Sequence, residues 1–314
     1  MKTRIFYATD AHGSELVFRK FLNSGKIYKA DVMVLGGDLT GKMIVPIVER
    51  TGQVFSVNWP TERTLKSNEL AEFEKDVWNH GFYTYRTTSD EAEKLASDKT
   101  KMDELFKTVI AQTLSRWCDL AETHLKGQNK KCFIQLGNDD TLGLDYILEG
   151  RENIVSTEGK VVHIDDGHEM ISTGYANITP WSCPRDIPET ALSERIEAMA
   201  KQVAIMETCI FNFHCPPYES GLDEAPELDD DLKMKASGSG VSTKPVGSVA
   251  VRNAIEKYQP LLALHGHIHE SRGFVKIGRT LCINPGSEYG EGILRGAIIN
   301  LDQKSVKNYM LTQG

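Results

Sequence analysis

The chain carries 36 lysines and arginines against 44 aspartates and glutamates over 314 residues, a formal net charge of −8, with 40% hydrophobic and 25% charged residues. A chain of this size can bury a substantial core, and its composition is that of a soluble globular protein. The acidic balance argues against polyanion binding by overall charge, and no run of about 18 apolar residues marks a membrane span.

The opening MKTRIFYATD lacks the apolar stretch of a signal peptide, so a non-exported, cytoplasmic protein is expected. In chain order, short apolar runs end in polar, turn-forming residues. They are RIFYAT before Asp10, VMVLG before Gly37 and Asp38, CFIQL before Gly137 and Asn138, CIFNF before His214, and PLLAL before His265. Runs of about four to six apolar residues rich in Val, Ile and Phe read as strands buried on both faces. Helical patterns separate some of them, at Ser14–Asn23, closed by Gly25, and at Val249–Tyr258, ahead of Pro260. Alternating strand and helix implies a layered α/β fold with ligands at the carboxyl ends of strands.

Asp38 and Asn138 are 138 − 38 = 100 positions apart, where a simple βα unit needs about 30. Two helices are expected there, over Thr64–His80 and over Thr88–Lys126, the second opened by the capping box Thr88-x-x-Glu91 and striped from Met102 to Leu125. Residues 41–128 therefore read as a helical insertion, a cap, within a single domain spanning 1–314. The tail reads as β, through KVVHI, EMISTGYA, TLCINP, GAIINLD and VKNYML. The polar stretch Glu219–Gly247 reads as a long mobile loop, and its acidic run Asp229–Asp231 as a solvated part of that loop rather than a metal site. The six cysteines are scattered with no C-x-x-C pair, so reduced, mostly buried thiols are expected.

The chemistry concentrates at the strand ends. Asp10 and His12 follow the first run, Asp38 the second, Asn138, Asp139 and Asp140 the third, His214 the fourth, and His265, His267 and His269 the fifth. Alternation in an extended segment would turn Asp10 and His12 the same way. Carboxylates with imidazoles suit Zn, Mn or Fe better than Mg or Ca. Two imidazoles on one face, as at His267 and His269, cost desolvation unless a cation joins them. By contrast His80, His124, His163 and His168 read as ordinary structural histidines.

The ordered series D-x-H, G-D, G-N, H and G-H-x-H resembles the calcineurin-like metallophosphoesterase superfamily, and most of all its prokaryotic Icc-like branch, which also shows the H-x-P-P turn and the Asn284–Ser287 stretch N-P-G-S. The resemblance covers roughly residues 3–40, 130–150 and 205–300. It implies a four-layer αββα two-sheet sandwich of the metallophosphoesterase type, here with the helical insertion. It also implies two divalent metal ions (Mn, Fe, Zn or Ni, with Mn the first to try in vitro). One would be held by Asp10, His12, Asp38 and His269, the other by Asp38, Asn138, His214 and His267, with Asp38 bridging and His265 structural. The reaction implied is attack of a metal-bridging hydroxide on a phosphate ester, with backbone N–H donors near Gly13 and Ser14 as a further anion contact.

One departure stands out. Where many relatives carry a histidine that assists the leaving oxygen, this chain has Asp139, which must be protonated or turned away from a phosphate anion. Asp139 and Asp38 are thus the catalytic candidates, the first in an altered role. The expected activity is a dinuclear, metal-dependent phosphodiesterase acting on a small phosphodiester or nucleotide-like substrate, with no membrane partner; the sequence leaves the oligomeric state open. Two alternatives stay open. A metal-dependent nuclease would need a basic groove, for which Arg185, Lys233, Lys235, Lys244 and Arg252 are the nominees. A scaffold that kept the fold and lost turnover would fit the change at Asp139.

Overall fold

The computed structural model describes residues 2–128, 130–229, 231–237 and 240–314. The five apolar runs fold as strands Thr3–Ala8, Val32–Gly36, Lys131–Gln135, Ile210–Phe213 and Leu262–Leu264. Their two faces enter different cores. On the first strand Ile5 and Tyr7 point between the sheets, while Phe6 and Ala8 point towards helices. Burial on both faces is why these runs are apolar without alternation.

Two six-stranded sheets result. The first runs in the order Val306–Gln313, Arg295–Leu301, Thr3–Ala8, Val32–Gly36, Lys131–Gln135 and Ile154–Ser156. The second runs Gly273–Ile277, Thr280–Asn284, Leu262–Leu264, Ile210–Phe213, Glu169–Thr173 and Val161–His163. Four strands of each are mutually parallel, and the antiparallel ones lie at the edges. Parallel neighbours place their carboxyl ends side by side, which collects the Asp38, Asn138, His214 and His267 loops at one rim.

Six α-helices are described: α1 (Glu15–Ile27), α2 (Leu70–Asn79), α3 (Ser89–Ser97), α4 (Lys99–Leu125), α5 (Glu189–Ala200) and α6 (Val249–Tyr258). α1 and α4 bury Phe18, Phe21, Leu114 and Trp117 against the outer face of the first sheet. α5 and α6 bury Leu192, Ile196, Val251 and Ile255 on the outer face of the second. A third cluster, including Tyr7, Val34, Leu264 and Ile299, fills the space between the sheets. The expected four-layer αββα sandwich is therefore the observed one.

α1 is locked to α4 by more than apolar packing. Phe18 stacks on Trp117 with ring centroids 4.2 Å apart. Buried Glu15 accepts from the Trp117 indole at 2.7 Å and from both terminal nitrogens of Arg116 at 3.0 and 2.8 Å.

Several boundaries differ from the sequence reading. α1 begins at the expected place, with Ser14 as N-cap, but passes through Gly25 and ends at Ile27. Gly25 is there for close approach, since a Cβ would lie 2.6 Å from Met33 Sδ on the underlying strand. Thr88 does cap the next helix, accepting from Glu91 N at 3.3 Å, yet the helix breaks at Asp98, which caps α4 in turn.

The largest difference lies in residues 41–128. Besides α2, α3 and α4 this segment holds a four-stranded sheet of Ile44–Arg50, Val54–Asn58, Glu62–Lys66 and Tyr83–Thr88, so it is mixed α/β rather than helical. The expected helix over Thr64–His80 accordingly starts only at Leu70. These strands are half exposed: in Glu62–Lys66 only Leu65 is buried, and in Ile44–Arg50 only Val45 and Ile47. The Glu219–Gly247 stretch is not one irregular loop either. Glu224–Pro226 pairs antiparallel with Thr243–Pro245, and Ala236–Ser237 with Gly240–Val241. In the acidic run, Asp229 caps the backbone N–H groups of Asp231 and Lys233, and Asp230 lies outside the described residues.

Candidate metal centre

The loops at the common rim are tied together by their backbones. Asp10 N donates to Gly37 O and His12 N to Asp38 O, both at 2.9 Å. Asp10, His12, Asp38 and His267 have φ of 55, 39, 51 and 67°. Left-handed backbone at four non-glycine residues costs about 1–3 kcal/mol each and gathers where function overrides stability. It also corrects the expected geometry: Asp10 and His12 converge through tight turns, not through the alternation of an extended strand. Gly37 sits at φ 118°, and a Cβ there would come within 2.6 Å of His214 Nδ1. Glycine is what lets this loop lie against the imidazole.

The side chains converge in two clusters that touch. In one, His269 Nε2 lies 3.4 Å from Asp10 Oδ1 and 3.1 Å from His12 Nε2. In the other, His214 Nε2 lies 3.3 Å from Asp38 Oδ2, with His267 alongside at 5.4 Å between ring centroids. His12 Nε2 is 3.6 Å from Asp38 Oδ2, and His214 Nε2 is 3.8 Å from Asp10 Oδ1, which joins the clusters. Asp10–His12–His269 and Asp38–His214–His267 each present ligand atoms within 4.8 Å of one another. Asn138 reaches the same place through its neighbour, since Asp139 N donates to Asp38 Oδ1 at 3.0 Å. All seven expected residues are thus at one rim.

Their hydrogen bonds leave inward-facing atoms unmatched. His214 Nδ1 is 3.0 Å from Gly36 O, which makes Nδ1 the donor and turns Nε2 inward, where that buried atom has no hydrogen-bond partner. Asn138 Nδ2 donates to Asp186 Oδ1 at 2.9 Å, leaving its buried Oδ1 without a partner. Outer partners that fix a ring or an amide while the inner atom stays free are the usual second layer of a metal site. Asp10 accepts from His267 N at 3.1 Å, and Ser287 Oγ donates to Asp10 O at 2.7 Å, so the N-P-G-S stretch braces the first ligand loop. His265, as expected, is structural: its Nδ1 faces Phe213 O at 2.8 Å and steadies the strand that carries His214.

Charge follows the same geometry. Burial lowers His12 and His267 to about 4, so both rings are neutral with a lone pair to offer. Burial pushes Asp10 up, but the His269 hydrogen bond and the nearby imidazoles outweigh it and bring it to about 2; Asp38 is lowered further in the same way, chiefly by His214. Burial would lower His214, yet Asp38 and Asp10 raise it to about 10. Two ionised carboxylates in a dry pocket demand positive charge, and a proton on His214 supplies it wherever a cation does not.

Three expectations around the site are revised. Asp139 neither turns away nor stands alone: its carboxylate forms an ion pair with Lys42 and accepts from Cys183 Sγ at 2.8 Å. The backbone donors expected to meet an anion are already used, since Gly13 N and Ser14 N donate to Leu39 O and Ala11 O. Four of the five residues nominated for a basic groove are already paired with acids. Arg185 is buried and bound by Asp145 at 2.9 Å, while Lys233, Lys235 and Arg252 pair with Asp231, Glu227 and Glu256.

Sequence reasoning overlooked Lys42, Tyr289 and Asp186, and named Asp140 without its role. Lys42 was visible only as a lysine four positions after Asp38. Tyr289 lays its ring over His12 at 4.6 Å. Asp186 orients Asn138, and Asp140 accepts from Leu39 N, Thr40 N, Thr40 Oγ1 and Gly137 N, fixing two ligand loops to each other.

Comparison with known proteins adds a fold likeness. The protein TT1561 of Thermus thermophilus matches across 100% of this chain and 99% of its own, at 13% identity and a TM-score of 0.55. A second solved structure, 16% identical over 100% of this chain and 99% of that one, gives a TM-score of 0.57. The chain shares its fold, the four-layer αββα sandwich, with these two structures. In sequence, 152 residues are 28% identical to the uncharacterized protein MJ1162 of Methanocaldococcus jannaschii, a match spanning 48% of this chain and 61% of that protein. No family model matches the chain.

Proposed function

We propose that this chain is a dinuclear metal-dependent phosphoesterase that cleaves small phosphodiesters. The observation that carries the reading is the pair of touching Asp/His clusters, with the buried His214 Nε2 and Asn138 Oδ1 left without hydrogen-bond partners. Those residues fit divalent cations: neutral imidazole nitrogens, ionised carboxylates and one amide oxygen are Mn²⁺-, Fe- or Zn-type donors. One ion would be held by Asp10, His12, Asp38 and His269, the other by Asp38, Asn138, His214 and His267. When bound, such a pair supplies Lewis acidity and lowers the pKa of a water between the ions towards about 7.

The chain's own residues do the rest. Asp38, fixed at Oδ1 by Asp139 N, holds both halves of the site in register. Gly36 O and Asp186 keep the His214 ring and the Asn138 amide aimed inward. The paired Lys42 and Asp139 add no net charge at the lip. That neutrality favours a singly charged diester over a doubly charged monoester, and it supports the diesterase half of the reading. The pairing of four of the five nominated basic residues with acids argues against the nuclease alternative.

The direct test is hydrolysis of bis(4-nitrophenyl) phosphate with added Mn²⁺, beside 4-nitrophenyl phosphate and the Asp38→Asn variant. Diester turnover that falls by about 10³-fold in the variant is expected. A wild-type rate no better than that of Asp38→Asn would end the enzyme claim and leave the scaffold reading.

A further inference from the structure

Asp139 poses a problem for any anion approaching the site. Its backbone N–H is on Asp38 Oδ1 at 3.0 Å, and its Oδ2 lies 4.0 Å from His12 Nδ1, so the carboxylate stands at the edge of the cluster. The Asp139 side chain is 22% exposed and that of Lys42 51%, which puts the ion pair on the open side of the site. Cys183, the other partner of Asp139, stays an uncharged thiol there, its pKa pushed up to about 12 by burial and then by Asp139. Lys42 is therefore the residue that cancels the Asp139 charge. An ammonium has three donors and Asp139 takes one, so others stay free towards solvent. The electrostatics reach inward as well, since the Lys42 charge helps to hold His12 down.

We infer that Lys42 makes the lip of the site receptive to an anion, masking the Asp139 carboxylate and presenting its remaining N–H donors to a phosphoryl oxygen. This rests on the phosphoesterase reading for the identity of the anion, and it names a substrate-contacting residue that the ligand motifs do not include. A single unmasked charge a few ångströms from a bound anion changes affinity by roughly ten- to a hundredfold at a half-exposed site.

The two members of the pair then have opposite effects, which a merely structural ion pair would not. Inorganic phosphate is titrated calorimetrically into Mn²⁺-treated wild type, Lys42→Ala, Lys42→Arg, Asp139→Asn and the Lys42→Ala/Asp139→Asn double variant, with bound Mn²⁺ measured on each by elemental analysis. Lys42→Ala is expected to weaken phosphate binding about tenfold and Asp139→Asn to tighten it. The double variant returns close to wild type, and Lys42→Arg keeps most of the affinity. Unchanged affinity in Lys42→Ala, or equal weakening in Lys42→Ala and Asp139→Asn, overturns the inference. If wild type takes up Mn²⁺ and Lys42→Ala binds phosphate as well as it does, the lip fails and the metal reading stands. A wild type that takes up neither Mn²⁺ nor phosphate overturns both.

Discussion

Two buried histidines of this protein sit beside aspartates, and they are built differently. His168 has Nδ1 at 2.8 Å from Asp165 Oδ2 and Nε2 at 3.0 Å from Asp302 O, while Thr3 and Gly167 also donate to Asp165. Each polar atom of that ring has a partner, and the cluster ties the Val161–Thr173 hairpin to the first sheet. His214 has one nitrogen on Gly36 O and the other unpartnered, facing two carboxylates. Both rings are buried beside carboxylates. What marks the candidate ligand seat is an unmatched atom that also faces carboxylates, since the buried Nε2 of structural His265 is unpartnered too; such an atom costs about 1–3 kcal/mol unless something binds it.

Substitutions at the two places should separate in kind. The largest effect is expected at His214→Ala, with bis(4-nitrophenyl) phosphate hydrolysis down about 10³-fold, or ~4 kcal/mol. Retained turnover there would erase the distinction. Next comes Gly37→Ala, where positive φ and the clash with His214 Nδ1 should together remove about 3 kcal/mol of stability, read as the midpoint of urea unfolding. His168→Ala should cost about 2 kcal/mol by stranding Asp165, while Mn²⁺ uptake and hydrolysis stay at wild-type level. A loss of metal in that variant would show the two clusters to be coupled.

The smallest effect sharpens the architectural side. Glu15→Gln, at the α1–α4 junction, should cost about 1–2 kcal/mol at pH 7, discounted because Arg116 is half exposed. Burial raises the Glu15 carboxyl, but Arg116 and Trp117 outweigh it and hold the group below its usual 4.5. Its contribution is therefore present above about pH 4.5 and lost as pH falls through the lower folded value. The difference between wild type and Glu15→Gln should shrink in that acid window. A constant gap from pH 7 down to pH 3 would contradict this.

The sandwich was legible because its strands are buried on both faces: Phe6 and Ala8 serve one core while Ile5 and Tyr7 serve another, so the run has no polar gaps. The rim residues were legible because each such run ends in a side chain of unusual chemistry. The sheet at 44–88 was legible only in part: Ile44–Val48 is an apolar run, but Glu62, Arg63, Thr64 and Lys66 surround a single buried Leu65 and give no period to read. Gly25 looked like a helix stop and is instead a contact point with Met33, a distinction only packing reveals. Lys42 was hidden for another reason. Its partner Asp139 is about a hundred positions away, and a surface lysine is ordinary until the fold brings a carboxylate to it.

The most direct test of the central claim is elemental analysis of protein purified without chelator and reconstituted with Mn²⁺, beside the His214→Ala and Asp38→Asn variants. The account predicts two metal equivalents per chain in the wild type and fewer in both variants. A wild type that holds no metal after reconstitution would contradict it.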